Sequence, residues 1–184
     1  MIIPSHTALA ARLHDYMAMN HGFNVTVNAF YRGSIAPDLG DKEKGSHYGD
    51  KCLEQATEIL REIREDESGD ITELSYKLGL LTHFIADYFT NAHNKIYLQR
   101  NMRMHMLYEV RLHWALSRVD RKPVYNFNLI KNDPIEQMRI WHQEYLYGRA
   151  GIEKDIHYIM MANHFLVERV LAEKGLALGL LMAA

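Results

Sequence analysis

Residues 78–94 read Leu-Gly-Leu-Leu-Thr-His-Phe-Ile-Ala-Asp-Tyr-Phe-Thr-Asn-Ala-His-Asn. His83 and Asp87 are four apart, so on a helix both side chains leave from one face, a turn above each other. His93 follows past Thr90 and Asn91, where a helix weakens and the chain can bend back. Two imidazoles and a carboxylate brought together in this way suit a borderline divalent cation such as zinc. Leu78, Leu80, Leu81, Phe84, Ile85 and Phe89 make this the most apolar segment of the first half of the chain. Its polar residues are therefore expected inside, where a charge must be paired or bound to a metal.

Working outward, Asp70-Ile71-Thr72-Glu73 is a capping box that starts this helix and predicts its run to about Phe89. Downstream, His105 and Glu109 form a second His-x-x-x-carboxylate pair inside a helical run, Met102 to Arg118. Two helices that each present such a pair can face one another across a metal centre. Upstream, Ser5 is expected to cap a helix reaching about Asn20, with His6, Ala10, Leu13 and Met17 pointing inward and His21-Gly22 ending it. Phe23 to Phe30 reads as a short helix or an extended passage. Gly33, Pro37, Gly40, Gly45 and Gly49 then predict a loop from Gly33 to Gly49. On either side of its charged tip, Asp41 to Lys44, sit Asp38 and His47, and loops held by a rigid scaffold often carry functional groups.

Asp50 opens a helix with Leu53, Ala56, Ile59, Leu60 and Ile63 as its buried stripe. Asp133-Pro134-Ile135-Glu136 is a second capping box, opening a helix to Tyr147. Gly148 to Gly151 turns the chain into a last helix, Ile152 to about Glu173. With no strand-like alternation, the pattern predicts an all-α bundle of roughly six to eight helices. At 184 residues it is expected to form a single helical metal-binding domain over 1–184.

A formal net charge of −2 gives no sign of a basic face for nucleic acid, though the sum can conceal a local patch. The 11 histidines are the unusual component, and clusters of them signal metal. The lone cysteine, Cys52, excludes an intrachain disulfide and a Cys-rich zinc motif, and reads as a helix core residue rather than a nucleophile. Pro4, His6, Arg12, His14 and Asp15 interrupt what would be the apolar core of a secretory leader, so a cytoplasmic protein, or a mature one whose leader was removed, is expected. Gly175 to Ala184 is apolar but too short to span a bilayer, and reads as the end of a packed helix or, alternatively, a homodimer contact. His113, four beyond Glu109, is the rival to His105 as that glutamate's companion. His142, His157 and His164 read as polar-face or capped residues. His14-Asp15 lacks the upstream histidine that a His-Asp phosphohydrolase site needs.

In chain order the candidates are His6, Asp38, His47, His83, Asp87, His93, His105 and Glu109. His-x3-Asp-x5-His followed by His-x3-Glu resembles the zinc-dependent phospholipase C family and the related single-strand-specific zinc nucleases, all-helical proteins with three zinc ions in a cleft. The resemblance covers residues 1 to about Trp114. It implies that Asp38, His47 and His83 hold one ion and that Asp87 bridges it to a second. The second ion would also take His6 and the amino and carbonyl groups of Met1, and the third would take His93, His105 and Glu109. In the family the terminal residue is a tryptophan, so Met1 is a departure. Glu109 favours the phospholipase branch, and the interval from Met1 to His6 favours the nucleases. The implied activity is phosphodiester hydrolysis by metal-bound hydroxide, with Asp38 as ligand and candidate base and Asp87 as the bridge. The implied substrate is a phospholipid head group, a nucleotide or another small phosphate ester. His and carboxylate ligands admit iron, manganese or nickel beside zinc, at two or three ions per chain. The class-level alternative is a helical binding protein with a purely structural metal, in which each ion has four protein ligands and no open position.

Overall fold

The computed structural model describes residues 1–40, 49–94, 102–119 and 125–176. His47, the tip Asp41 to Lys44 and residues 177–184 of the apolar C-terminal run lie outside the described residues. Among those described there are seven α-helices and no strand: α1 (Ile3–His21), α2 (Val27–Leu39), α3 (Asp50–Glu65), α4 (Ile71–Tyr88), α5 (Met102–Leu116), α6 (Pro134–Leu146) and α7 (Ile152–Glu173). A single 3-10 turn, Asn91–His93, follows α4. The expected all-α bundle is what forms, and none of these helices is long and apolar enough to cross a membrane.

Helix α4 is the hub. Asp70 caps it, accepting hydrogen bonds from the backbone N–H groups of Thr72 (2.7 Å) and Glu73 (3.3 Å). From Leu78 to Tyr88 every residue is buried, because α2, α3 and α7 pack around it. A helix that is apolar all round has no solvent face to offer, so it belongs in the centre. The predicted stripe of α3 faces it, with Leu53, Ala56, Ile59, Leu60 and Ile63 all buried. Cys52 lies in the same layer, and burial pushes its thiol pKa up, which fits a core role. Asp133 caps α6 through the Ile135 N–H at 2.9 Å, with Pro134 in the first turn.

Two expectations fail. Ser5 does not cap α1: the helix begins at Ile3, and Ser5 is buried inside its first turn. Pro4 explains this, because its fixed φ suits a first helical position and it lacks an N–H that would go unsatisfied there. The stretch from Gly33 is not a loop. Helix α2 runs through Gly33 and Pro37 to Leu39, and Gly40 (φ 83°) stops it. Gly33 marks a helix crossing instead. A Cβ there would lie 2.1 Å from the carbonyl oxygen of Tyr76, and a Cβ on Gly79 of α4 would lie 2.2 Å from that of Phe30. Only paired glycines let the two backbones approach this closely.

Candidate metal centre

That close crossing sets the first group of site residues. Asp38 is carried on the last turn of α2, while His83 and Asp87 project from α4 and His6 from the first turn of α1. His83 Nδ1 donates to the carbonyl of Ser34 on α2 at 2.9 Å. This leaves the Nε2 lone pair facing Asp87 Oδ2, 3.5 Å away. A histidine whose second nitrogen is committed to a backbone carbonyl is the usual arrangement of a metal ligand. The His6 ring stacks on His83 with centroids 3.8 Å apart. Its Nε2 lies 3.4 Å from Asp87 Oδ1 and 3.8 Å from Asp38 Oδ2.

The second group comes from the bend after α4. The Asn91–His93 turn swings His93 back, as Thr90 and Asn91 suggested, until Nδ1 is 3.8 Å from Asp87 Oδ2 and Nε2 is 3.0 Å from Glu109 Oε1. Helix α5 brings His105, whose Nε2 lies 3.3 Å from the same glutamate oxygen. His105 rather than His113 is thus the companion of Glu109; the His113 ring lies tilted beside Trp114, centroids 6.0 Å apart. His6, His83 and Asp87 present one ligand atom each within 4.8 Å of one another, and so do His93, His105 and Glu109.

The amino group of Met1 sits between the two triads. It donates to Asp87 Oδ1, approaches His93 Nε2 at 3.0 Å and lies 3.6 Å from Glu109 Oε1. Burial opposes its charge, but Asp87 and Glu109 outweigh that and raise its pKa. Burial likewise works against the Asp87 carboxylate, yet His93, the amino terminus, His6 and His83 hold its pKa well below the usual range. Glu109 is lowered the same way, against burial, by the His93 hydrogen bond and the amino terminus. His6 goes the other way: burial first, then neighbouring His83, drives it well below an ordinary histidine. It is held neutral, the form in which imidazole binds a metal.

These donors fit zinc. Both ring nitrogens of His6 are buried without a hydrogen-bond partner, a costly state for a polar group unless a cation completes it. His93 Nε2 stands 3.0 Å from both an ammonium and a carboxylate, and one ring nitrogen cannot accept from the first while donating to the second. Each oxygen of Asp87 also faces a different set of nitrogens, the disposition a bridging carboxylate requires.

Behind the two triads lies a residue the sequence did not single out. Asp155 of α7 is fully buried and accepts from the Asn91 backbone N–H, the Tyr108 hydroxyl and the Tyr145 hydroxyl, each at 2.8 Å. Burial pushes its carboxyl up to about 6, although all three donors oppose this. It thereby ties the His93 turn to α5 and α6. His142, expected as a polar-face or capped residue, is buried: it stacks on Tyr88 at 3.8 Å and contacts Asn94 Oδ1 at 3.1 Å. His164 is buried too, with Nδ1 2.6 Å from the Met160 carbonyl. Only His157 is exposed as expected. The spacing of Asp155, Ile159 and Ala162 places that aspartate on the apolar face of α7, and this was the available signal.

Residues 5–156 match the family described as zinc dependent phospholipase C, so the likeness extends well past Trp114. No curated protein and no solved structure matches the chain. A match over most of the sequence, on a helical frame that gathers two His/carboxylate triads, identifies the chain as a member of the zinc-dependent phospholipase C family.

Proposed function

We propose that the protein is a zinc-dependent phosphodiesterase that hydrolyses the phosphate ester of a phospholipid head group or a related small molecule. The whole of 1–184 would act as one metal-binding domain. The observation that carries this reading is Asp87: its Oδ1 faces the Met1 amino group and His6, and its Oδ2 faces His83 and His93. His6, His83, Asp87 and Asp38 would hold ions on one side, with His47 as a further ligand. His93, His105 and Glu109 would hold an ion on the other, with the Met1 amino group between. Zinc bound there would lower the pKa of water toward neutrality and offset the charge that builds on the phosphoryl oxygens.

The protein's own groups do the rest. Ser34 fixes the His83 ring so that only Nε2 points inward. Asp155 holds the His93 turn against α7. Asp38, whose Oδ2 is buried 3.8 Å from His6 Nε2, would take the proton from attacking water. The buried walls of α1, α4 and α5 exclude competing water, which strengthens each electrostatic contact inside.

The test is hydrolysis of bis(p-nitrophenyl) phosphate before chelation, after it, and after zinc is restored, with elemental analysis of the purified chain. Two or three ions per chain and chelator-sensitive, zinc-restored turnover are expected. A zinc-replete protein without turnover on any phosphodiester would instead favour a helical binding protein with structural metal.

A further inference from the structure

The outward face of α5 is built wrongly for a helix that ends in water. Leu107, Val110 and Trp114 recur at spacings of three and four, so they line one stripe. Leu107 and Trp114 are each 58 % exposed, and Met104 and Met106 flank them, also exposed. The inward face of the same helix carries Glu109, Leu112 and Leu116. A globular helix normally turns polar residues outward, and contiguous exposed apolar surface marks a docking site. Its charge is equally one-sided. Arg103, Arg111 and Arg118 are exposed along 102–118, where the sole carboxylate is the buried Glu109. Beside this stripe an open cleft of about 620 Å³ is lined by Arg111, Arg149 and Lys154, with Glu153 its only acid among the described residues. In a chain of net charge −2, so much positive charge on one face stands out.

We propose that this face of α5 and its cationic cleft dock the protein on an anionic phospholipid surface. Apolar side chains with a tryptophan among them, edged by arginines, form the kind of helix surface that lies in a lipid interface. Basic residues there gain from the negative surface potential of anionic lipids. A second copy of the chain fits less well, because a two-fold interface would bring two arginine-edged faces of like charge together. The arrangement also has a use. His105 and Glu109 belong to the same helix, so a bilayer held by its outer face lies one helix diameter, roughly 10 Å, from the second triad. The proposal rests on the phospholipase reading for its purpose, but docking can be measured without catalysis.

The experiment uses the full zinc-loaded chain with vesicles of phosphatidylcholine alone or mixed with phosphatidylglycerol. Trp141 is 8 % exposed, so Trp114 is the tryptophan that reports on the surface. Expected are co-sedimentation with the anionic vesicles, a blue shift of tryptophan emission that Trp114→Phe abolishes, and at least tenfold weaker binding for Leu107→Asp and Arg111→Glu. Hydrolysis of soluble bis(p-nitrophenyl) phosphate should be unchanged in all three variants. The proposal is overturned if the chain ignores anionic vesicles, if Trp114→Phe still shifts, or if Trp114 is already shielded from quencher without lipid, by a second copy or by the chain itself. Soluble turnover without vesicle binding would remove docking and leave the hydrolase reading intact. Vesicle binding without soluble turnover would do the reverse.

Discussion

Replacing Gly79 with alanine probes the link between backbone packing and the metal centre. On propensity alone the change helps, since alanine in a helix interior is favoured over glycine by about 1 kcal/mol. The structure predicts the opposite. The new Cβ would lie 2.2 Å from the Phe30 carbonyl oxygen and 2.7 Å from the Ser34 nitrogen. Both are backbone atoms of α2, so no rotamer change relieves the clash, and the helices must part by roughly 1 Å. Ser34 is the residue whose carbonyl holds His83 Nδ1 at 2.9 Å, and a shift of that size stretches the bond past a useful length. Over-packing costs about 1–3 kcal/mol and the lost hydrogen bond about 1 more. A net destabilisation of about 1–3 kcal/mol is expected, and zinc affinity should fall on the order of tenfold or more because His83 loses its orienting partner. Urea denaturation and competitive zinc titration of the Gly79→Ala variant measure the two effects. A variant as stable as its parent refutes the close crossing. One that is destabilised yet binds zinc as tightly refutes the connection from the crossing to His83.

Other perturbations separate the remaining elements. Asp155→Ala strands the Asn91 N–H and the Tyr145 hydroxyl in the interior, which should cost about 2–4 kcal/mol and loosen the His93 turn; unchanged stability by denaturant melt would contradict this. Adding Gly-Ser ahead of Met1 converts a buried ammonium into a peptide nitrogen and breaks its pair with Asp87. Since breaking a buried pair costs about 3–5 kcal/mol, a lower melting temperature and weaker zinc binding should follow, and an extended chain with neither would exclude an amino-terminal role. Burial lowers the pKa of His142 and His164 to about 4. Their folded values lie below the unfolded ones, so they cost nothing above about pH 6.5, and stability falls between there and pH 4 as the unfolded chain alone takes up protons. Each contributes about 3 kcal/mol of that loss. Asp155, raised to about 6, runs the other way, its contribution fading as pH rises through that value. The acid-side slope should therefore flatten in His164→Gln; an identical slope would mean that His164 is already charged in the fold.

What could be read ahead of the structure was local. Asp70 and Asp133 announced helix starts because a cap needs only a carboxylate two or three residues ahead of unpaired N–H groups. Turn chemistry was the weak point. Gly33 and Pro37 read as loop residues because sequence cannot tell a glycine that turns the chain from one that admits a neighbouring helix. Asp155, His142 and His164 elude a sequence reading for a similar reason: a lone polar residue on an apolar helix face looks incidental until its partners appear.

The amino-acid order alone determined the all-α class and the two His-x-x-x-carboxylate pairs, because 3.6 residues per turn makes that spacing a face whatever surrounds it. The tertiary structure decided that both pairs converge, that the Met1 amino group reaches Asp87, and that Asp155 braces the turn carrying His93. Those contacts join residues 16 to 86 positions apart. Only the packing of α1, α2 and α7 on α4, with α5 held against α1, α7 and the Asn91–His93 turn, brings such distant groups together, and no local periodicity records it.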